Sequence, residues 1–584
     1  MTSLNEPRVQ SSSKRRYRSV RYQAVVIAVA AILLSGPFSV PALLAGGHAG
    51  HGDPRPLIED PRLADGQLAP ILVGLGFHHF AVTTSSPRAQ LFFDQGLRLA
   101  YGFNHREALR SFKEAVRLDP DCAMAYWGWA LVLGPNLNLP MQSESVPQIL
   151  EAQQLALSHL DQVSEREGDY IRALARRYSD DPSVEQSDLD RAYAEAMGRL
   201  HRKYPDDPDA ATLYAAALMN LSPWDYWTAE GTPREHTQEI LDTLRATIRR
   251  HPGHEGALHY FIHAVEAAHP AWGEAAADAL RGRAPGAGHL THMPSHIYMQ
   301  LGRYADAFEV NQLASLADEG YITQCRAQGI YPLDYYPHNV HFQVWAGMML
   351  GKSREVLQLA RKAAAQVPSD FRENHWALYE TFLSLPLYTM VRFGMWDEIL
   401  REPVPPPERR FWSGISHFAR GLAQLSGQRF ERAETELHKL DEILSDPTTP
   451  EVLVGFSSAS TVLEIARETL AGELARGRGR SSEGIDRLER AVRLQDALGY
   501  TEPPDWYYPV RHNLGAALLD AGKAAEAAVV YRQDLRRYPE NPYSLFGLWK
   551  SLEAAGRVDE ASELAKRFER SWVQADHRLT SSRW

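Results

Sequence analysis

Cysteine is almost absent from this sequence. The chain has 584 residues but only two cysteines, Cys122 and Cys325. This number excludes a disulfide framework, and it excludes a zinc or iron–sulfur site held by several thiolates. A single disulfide between the two stays open, although nothing in the sequence supports it.

An excess of positive charge is also missing. The formal net charge is −11, and residues 1–22 carry six basic residues against one acidic residue, so the remainder is more acidic still. A protein that binds nucleic acid needs clustered Lys and Arg to neutralise phosphates. We therefore expect no nucleic-acid partner.

Signatures of common catalytic folds are lacking as well. The sequence contains no G-x-S-x-G, no G-x-x-x-x-G-K-[S/T] and no G-x-G-x-x-G after a strand, which leaves a hydrolase elbow or a nucleotide-binding loop without support. No segment shows sustained alternation of Val, Ile and Thr, so few or no strands are expected. The chain is too long for one ordinary core and predicts several domains or a repeat array.

The N-terminus has the pattern of an export signal. Six basic residues within the first 22 positions precede an uninterrupted apolar run from Ala24 to Leu34. This order is typical of a secretory signal, whose positive end stays in the cytoplasm. We predict that residues 1–45 are a signal peptide or an N-terminal membrane anchor and that 46–76 form a flexible linker. The body is then exported to the periplasm or the extracellular space, and it contacts a membrane only through this segment.

The body repeats itself with a period of 34 residues. With Ala89 as position 1, Gly96 falls at position 8, Ala108 at 20, Phe112 at 24 and Pro120 at 32. A start at Tyr508 places Gly515, Gly522, Ala527, Tyr531 and Pro539 at positions 8, 15, 20, 24 and 32. Small residues at 8 and 20 let two antiparallel helices approach, the aromatic ring at 24 fills the space between them, and proline ends the second helix.

These residues resemble the tetratricopeptide repeat family, and looser units start at Gly288, Pro337 and Gly414. The resemblance implies an all-α fold: a tetratricopeptide-like α-solenoid of antiparallel helical hairpins with few or no strands. We place an N-terminal solenoid with a histidine-rich region at 77–400 and a C-terminal solenoid at 411–575.

Further motifs narrow the resemblance. Tyr101-Gly-Phe-Asn-His105 and His292-Met-Pro-Ser-His-Ile-Tyr298 are similar to motifs of a group of bacterial exported tetratricopeptide proteins. The similarity spans about residues 75–570. It implies a fold and a compartment more firmly than an activity.

Histidine is concentrated in one region. Ten of the 23 histidines lie within residues 251–341, less than a sixth of the chain. Glu255, His259, His263 and Glu266 follow each other at spacings of 4, 4 and 3. These spacings place all four side chains on one narrow face of a helix. Imidazole and carboxylate together form a ligand set for zinc, copper, iron or manganese.

Two further histidine pairs open helices. His292 and His296 take positions 5 and 9 of the unit that starts at Gly288, and His338 and His341 take positions 2 and 5 of the unit that starts at Pro337. In the tetratricopeptide family, positions 2, 5, 9 and 12 of the first helix line the concave groove. The resemblance therefore implies that these four histidines face one cavity. Whether the helix at 254–266 joins that cavity stays open.

The sequence thus predicts a site for a transition metal, namely copper, zinc, iron or manganese. Its central ligands are His259, His263, His292 and His296, and Glu255, Glu266, His338 and His341 are further ligands or groups that orient them. Two alternatives involve no metal. The histidines can be satisfied by backbone carbonyls or buried glutamates, or they can bind a peptide or a small acidic ligand.

Three functions fit these patterns. The first is an exported solenoid that binds a protein, peptide or small ligand in its concave groove and carries a histidine metal site. The second is a metal-dependent redox or hydrolytic enzyme that uses the same histidines. The third is a metal-free scaffold for protein–protein interaction.

Overall fold

The computed structural model describes residues 66–325, 327, 331–367 and 379–584. The predicted signal or anchor at 1–45 lies outside these residues. Among the described helices, none combines the length and the apolar character needed to cross a membrane. Residues 66–76, which the sequence assigns to a linker, make defined contacts. For example, the amide of Leu72 donates to Gln95 Oε1 at 2.8 Å.

The described chain is almost entirely helical. The N-terminal helices are α1 (Pro87–Tyr101), α2 (His105–Leu118), α3 (Ala123–Leu133), α4 (Val146–Ser158), α5 (Glu165–Leu174), α6 (Gln186–Lys203), α7 (Pro208–Met219) and α8 (Thr237–Arg250). The central helices are α9 (Glu255–Val265), α10 (Pro270–Leu280), α11 (Gly288–His292), α12 (Pro294–Gln300), α13 (Tyr304–Cys325), α14 (Tyr336–Met349), α15 (Ser353–Gln366), α16 (Glu380–Arg392) and α17 (Trp396–Arg401). The C-terminal helices are α18 (Arg410–Ser426), α19 (Phe430–Ser445), α20 (Ala459–Gly477), α21 (Ser481–Asp496), α22 (Arg511–Asp520), α23 (Ala524–Arg537), α24 (Pro542–Ala554) and α25 (Val558–Ser571).

Consecutive helices pack as hairpins, and neighbouring hairpins stack on each other. The predicted fold class, an all-α tetratricopeptide-like solenoid, is confirmed. In the described residues, strand structure is limited to two antiparallel pieces of two residues each, β1 (Leu453–Val454) and β2 (Ser457–Ser458), and one isolated bridge. Cys122 and Cys325 are both buried and unpaired.

The aromatic residue at repeat position 24 sets the spacing of the hairpins. The ring of Phe112 fills the space that a Cβ would occupy at Gly96 in its own hairpin and at Gly128 in the next one. Tyr531 does the same between Gly515 and Gly547. A side chain at any of these glycines would collide with the ring, which explains why the repeat needs small residues at position 8.

The turn inside each hairpin requires a left-handed backbone at position 15. Gly302 and Gly522 adopt φ angles of +78° and +74° there, a region that glycine reaches without steric penalty. Two units place another residue at this position, since Phe103 and Gln428 both have a φ of 56°. Gln428 is exposed, whereas Phe103 is buried.

The C-terminal repeats pack against the central ones. Tyr543 Oη donates to the carbonyl of Met348 at 3.0 Å, and Tyr507 Oη donates to the carbonyl of His341 at 3.2 Å. The loop at 497–510, between α21 and α22, therefore lies against the helices that carry the histidines. This loop explains why the predicted groove histidines are buried or half-buried instead of lining an open groove.

Candidate metal centre

Helix α9 presents the first two histidines of the centre. His259 and His263 are one turn apart, and their ring centroids are 4.7 Å apart. Glu266 follows directly after the helix, and its Oε1 lies 3.0 Å from His263 Nδ1. The predicted common face of His259, His263 and Glu266 is therefore present.

Helices α11 and α12 form one interrupted helix that carries three more histidines. Pro294 lies in the first turn of α12, where its missing N–H is tolerated. His289, His292 and His296 lie at spacings of 3 and 4, so they project from the same side. All three are buried.

These side chains, with His338 from α14, form two clusters. The first triad consists of His259, His263 and His289, and the second triad consists of His292, His296 and His338. Within each triad every histidine offers one ring nitrogen, and these nitrogens lie within 4.8 Å of one another. Three convergent imidazoles are a ligand set for zinc, copper, iron or nickel.

Hydrogen bonds fix the tautomers of three of these rings. The Nδ1–H of His259 donates to the carbonyl of Tyr101 at 2.6 Å, and the Nδ1–H of His292 donates to Asn311 Oδ1 at 2.6 Å. His263 donates through Nδ1 to Glu266. In the neutral form each of these rings therefore has a bare Nε2. Histidines that bind a metal show this arrangement, in which an oxygen acceptor holds the distal N–H.

The bare Nε2 atoms of His259 and His292 each face the Nε2 of another histidine, and that of His263 faces no donor in the described residues. His259 Nε2 lies 3.2 Å from His289 Nε2, and His292 Nε2 lies 2.8 Å from His296 Nε2. His263 Nε2 is buried and has no hydrogen-bond partner among the described residues. An unpaired buried nitrogen is unfavourable, and this one belongs to a ring that converges with His259 and His289, so His263 indicates a missing ligand.

Burial keeps most of the centre neutral. It lowers the pKa values of His259, His289, His292 and His338 well below the usual range of histidine, and it also lowers the pKa of His263. His296 is the exception. Burial also lowers its pKa, but Glu266 and Glu502 outweigh that effect and raise the pKa to about 10. Neutral imidazole is the form that coordinates a metal.

Two buried carboxylates accompany the second triad. His296 Nδ1 lies 2.6 Å from Glu266 Oε2 and 3.0 Å from Glu502 Oε2. Glu502 comes from the loop at 497–510, and Gln300 Nε2 donates to its Oε1 at 2.5 Å. Burial raises the pKa of Glu266, but the charge of protonated His296 and the hydrogen bonds from His263 and His296 outweigh it and lower the pKa.

Each triad is covered by one phenylalanine ring. Phe103 lies 4.5, 5.9 and 5.3 Å, between ring centroids, from His259, His263 and His289. Phe342 covers the second triad in the same way, with corresponding distances of 4.5, 4.7 and 4.8 Å to His292, His296 and His338. Each phenylalanine ring thus places apolar surface against the three histidines of its triad.

The structure brings together most of the predicted site. His259, His263, His292, His296, His338 and Glu266 all belong to the centre. Two predicted residues lie elsewhere. Glu255 accepts a hydrogen bond from the amide of Phe77 at 3.4 Å, and the His341 ring stacks on Tyr507 with the centroids 5.2 Å apart.

Two residues of the centre escaped the sequence prediction. His289 occupies position 2 of the unit that starts at Gly288, so the groove rule already included it. Glu502 carries no comparable signal, because it reaches the centre from a loop about 200 positions further along the chain.

A separate cluster of His78, Asp209 and His254 also brings three potential ligand atoms together, but a carboxylate lies between its two imidazoles. Asp209 Oδ1 lies 2.8 Å from His78 Nε2, 3.3 Å from His254 Nε2 and 2.6 Å from Tyr101 Oη. His254 Nδ1 accepts a hydrogen bond from the amide of Ala257. Tyr101 and His254 thus donate to one oxygen of Asp209, and His78 Nε2 lies beside the same oxygen.

The comparisons with known proteins add little to this description. No family model matches the chain, and no curated protein matches it. Among solved structures, a human IFIT1 dimer with PPP-AAAA is 14% identical over 83% of this chain and 91% of that chain, with a TM-score of 0.29. A human IFIT1 dimer with m7Gppp-AAAA is 15% identical over 84% and 91%, also with a TM-score of 0.29. At this TM-score the likeness supports no conclusion about function. Fold and site together define the chain as an all-α tetratricopeptide-like solenoid with a buried histidine centre.

Proposed function

We propose that this protein is an exported solenoid that holds a transition metal at its histidine centre and acts as a binding protein or scaffold. Copper, zinc, iron and manganese are the candidate metals. The observation that carries the proposal is the His263 side chain. It donates through Nδ1 to Glu266 and leaves a buried Nε2 that points to no donor in the described structure.

The rest of the centre supports the same conclusion. His259 and His292 also have their Nδ1–H groups held by oxygen acceptors. A structural histidine can pair both ring nitrogens, as His254 does with Asp209 and with the amide of Ala257. Around His263 the second partner is missing, and a cation supplies it.

A metal-free alternative rests on His296. If this ring is protonated, it pairs with Glu266 and Glu502 through Nδ1 and donates through Nε2 to His292. That arrangement satisfies the second triad without an ion, although it leaves His263 Nε2 unpaired. A scaffold that binds partners without a metal is the function that remains if this alternative holds.

Replacing His263 and His296 together by alanine tests the proposal. After reconstitution with each of the four metals, we expect stoichiometric metal in the parent and none in the double variant. Helix content should change little, because alanine is the best helix former. His417→Ala is the matched control, since it also removes a buried histidine that pairs with a glutamate, Glu436, at 2.7 Å. A parent that binds no metal, or a double variant that binds as much as the control, contradicts the proposal.

A further inference from the structure

The two triads lie side by side. The ring centroids of His263 and His296 are 5.6 Å apart, and those of His289 and His292 are 5.8 Å apart. In the described residues, however, no set of three ligand nitrogens lying within 4.8 Å of one another combines histidines from both triads. The arrangement therefore offers two neighbouring positions for a metal.

The separations inside the triads fit a bound ion. Two nitrogens that bind one tetrahedral ion at about 2.0 Å lie about 3.3 Å apart. The Nε2 atoms of His259 and His289 are 3.2 Å apart. Those of His292 and His296 are 2.8 Å apart, so a small outward shift of either ring would accommodate an ion there.

Charge balance distinguishes between the candidate metals. In the described part of the chain, Glu266 and Glu502 are the carboxylates paired with a triad histidine, and both side chains are at most 3% exposed. Two monovalent ions cancel these two negative charges, whereas two divalent ions leave two uncompensated positive charges in a buried site. Such burial of net charge is strongly unfavourable. If Glu502 keeps a proton, the net charge of the site rises by one for either pair of ions. The monovalent pair still leaves the smaller net charge.

We propose that the two triads hold a pair of copper(I) ions, one in each triad. This proposal rests on the proposed function, because it assumes that the centre binds metal. Copper is the transition metal of this group that is stable in a monovalent form, and imidazole is among the ligands that suit copper.

The test is anaerobic loading of the full chain with copper(I), followed by removal of loosely bound metal with a copper(I) chelator. We expect two copper ions per chain. His289→Ala should retain the ion of the second triad, and His338→Ala should retain that of the first, so each variant should hold one. His417→Ala should hold two. Circular dichroism shows whether each variant is folded. If an alanine variant does not fold, His289→Gln or His338→Gln takes its place.

A spectroscopic measurement adds an independent readout. After oxidation, neighbouring copper(II) ions couple, so the parent should show a weaker paramagnetic resonance signal per copper than either single-triad variant. Two ions per chain with this difference support the pair. One ion per chain in the parent overturns the pair but leaves the proposed function in place. No retained metal of any kind removes both, and tighter retention of zinc than of copper(I) overturns the assignment to copper.

Discussion

At the residue scale, Phe103 shows how the centre departs from the repeat pattern. It occupies turn position 15, where Gly302 and Gly522 stand in their units, and it adopts a φ of 56°. A bulky residue in this region is strained. Its ring contacts all three histidines of the first triad. Phe103 therefore combines a strained backbone with a ring that covers the first triad.

Phe103→Gly and Gln428→Gly separate these two effects. Gln428 has the same φ of 56° at the same repeat position but is exposed. We expect Gln428→Gly to be neutral or to stabilise the protein by up to about 1 kcal/mol, since only strain is relieved. Phe103→Gly should destabilise it by about 3 kcal/mol, since a buried ring is lost, and should weaken metal binding. Amide hydrogen exchange of the affected hairpins measures both changes. Equal effects of the two substitutions would show that the ring does not support the site.

His512 provides a residue-scale test that is independent of the centre. Burial lowers the pKa of His512 to about 4, whereas the unfolded chain takes up a proton at about 6.5. As the pH falls from 6.5 to 4, the unfolded state therefore binds the proton first, and stability is lost over that window. Below the folded pKa the loss levels off, and above 6.5 the two states do not differ.

We expect His512→Gln to reduce the stability difference between pH 7 and pH 4.5 by about 2 kcal/mol. Amide exchange of α22, corrected for intrinsic rates, measures this local stability. The exposed His438 is the control, and His438→Gln should leave the difference unchanged. An unaltered pH dependence in His512→Gln would contradict the burial argument.

At the element scale, the repeat spacing accounts for most of what the sequence could predict. Positions 8 and 20 carry small residues and position 24 carries an aromatic residue, because two helices meet there. The hairpins and their registers therefore follow from the spacing of these residues in the sequence. A helix also fixes which of its side chains share a face, which is why His259, His263 and Glu266 could be grouped. The residues from other helices and loops that contact this face could not be predicted. They depend on how distant hairpins stack, and Glu502 reaches the centre through a loop with no repeat register.

Ala527 tests the register of the C-terminal unit. It lies at position 20 in α23 and is fully buried. We expect Ala527→Leu to destabilise the hairpin of α22 and α23 by about 1–3 kcal/mol, because a close helix–helix contact has no room for three more carbons. Ala525, in the same helix, is exposed, and Ala525→Leu should change little. Hydrogen exchange of both helices gives the comparison, and an unperturbed hairpin in Ala527→Leu would refute the register.

At the scale of the whole molecule, the compartment decides which metals the centre meets. The basic residues and the apolar run of the first 34 positions predict export. Residues 1–60 fused to a reporter should carry it out of the cytoplasm, and replacing Arg15 and Arg16 by Glu should reduce export. A reporter that stays in the cytoplasm with the unaltered segment would contradict the localisation.

The solenoid also explains why the centre is buried. The central hairpins supply six histidines from α9, α11, α12 and α14, and the loop at 497–510 brings Glu502 against His296 and Tyr507 against His341. Neither half of the solenoid contains the complete centre. We therefore expect metal binding to depend on the full chain.

The most direct test of a metal centre is the metal content of the full chain, purified from the exported compartment without chelators. Elemental analysis should find a transition metal in stoichiometric amount, retained after dialysis and absent from the variant that combines His263→Ala and His296→Ala. If the parent holds no copper, zinc, iron or manganese, even after reconstitution, the histidine centre is not a metal site.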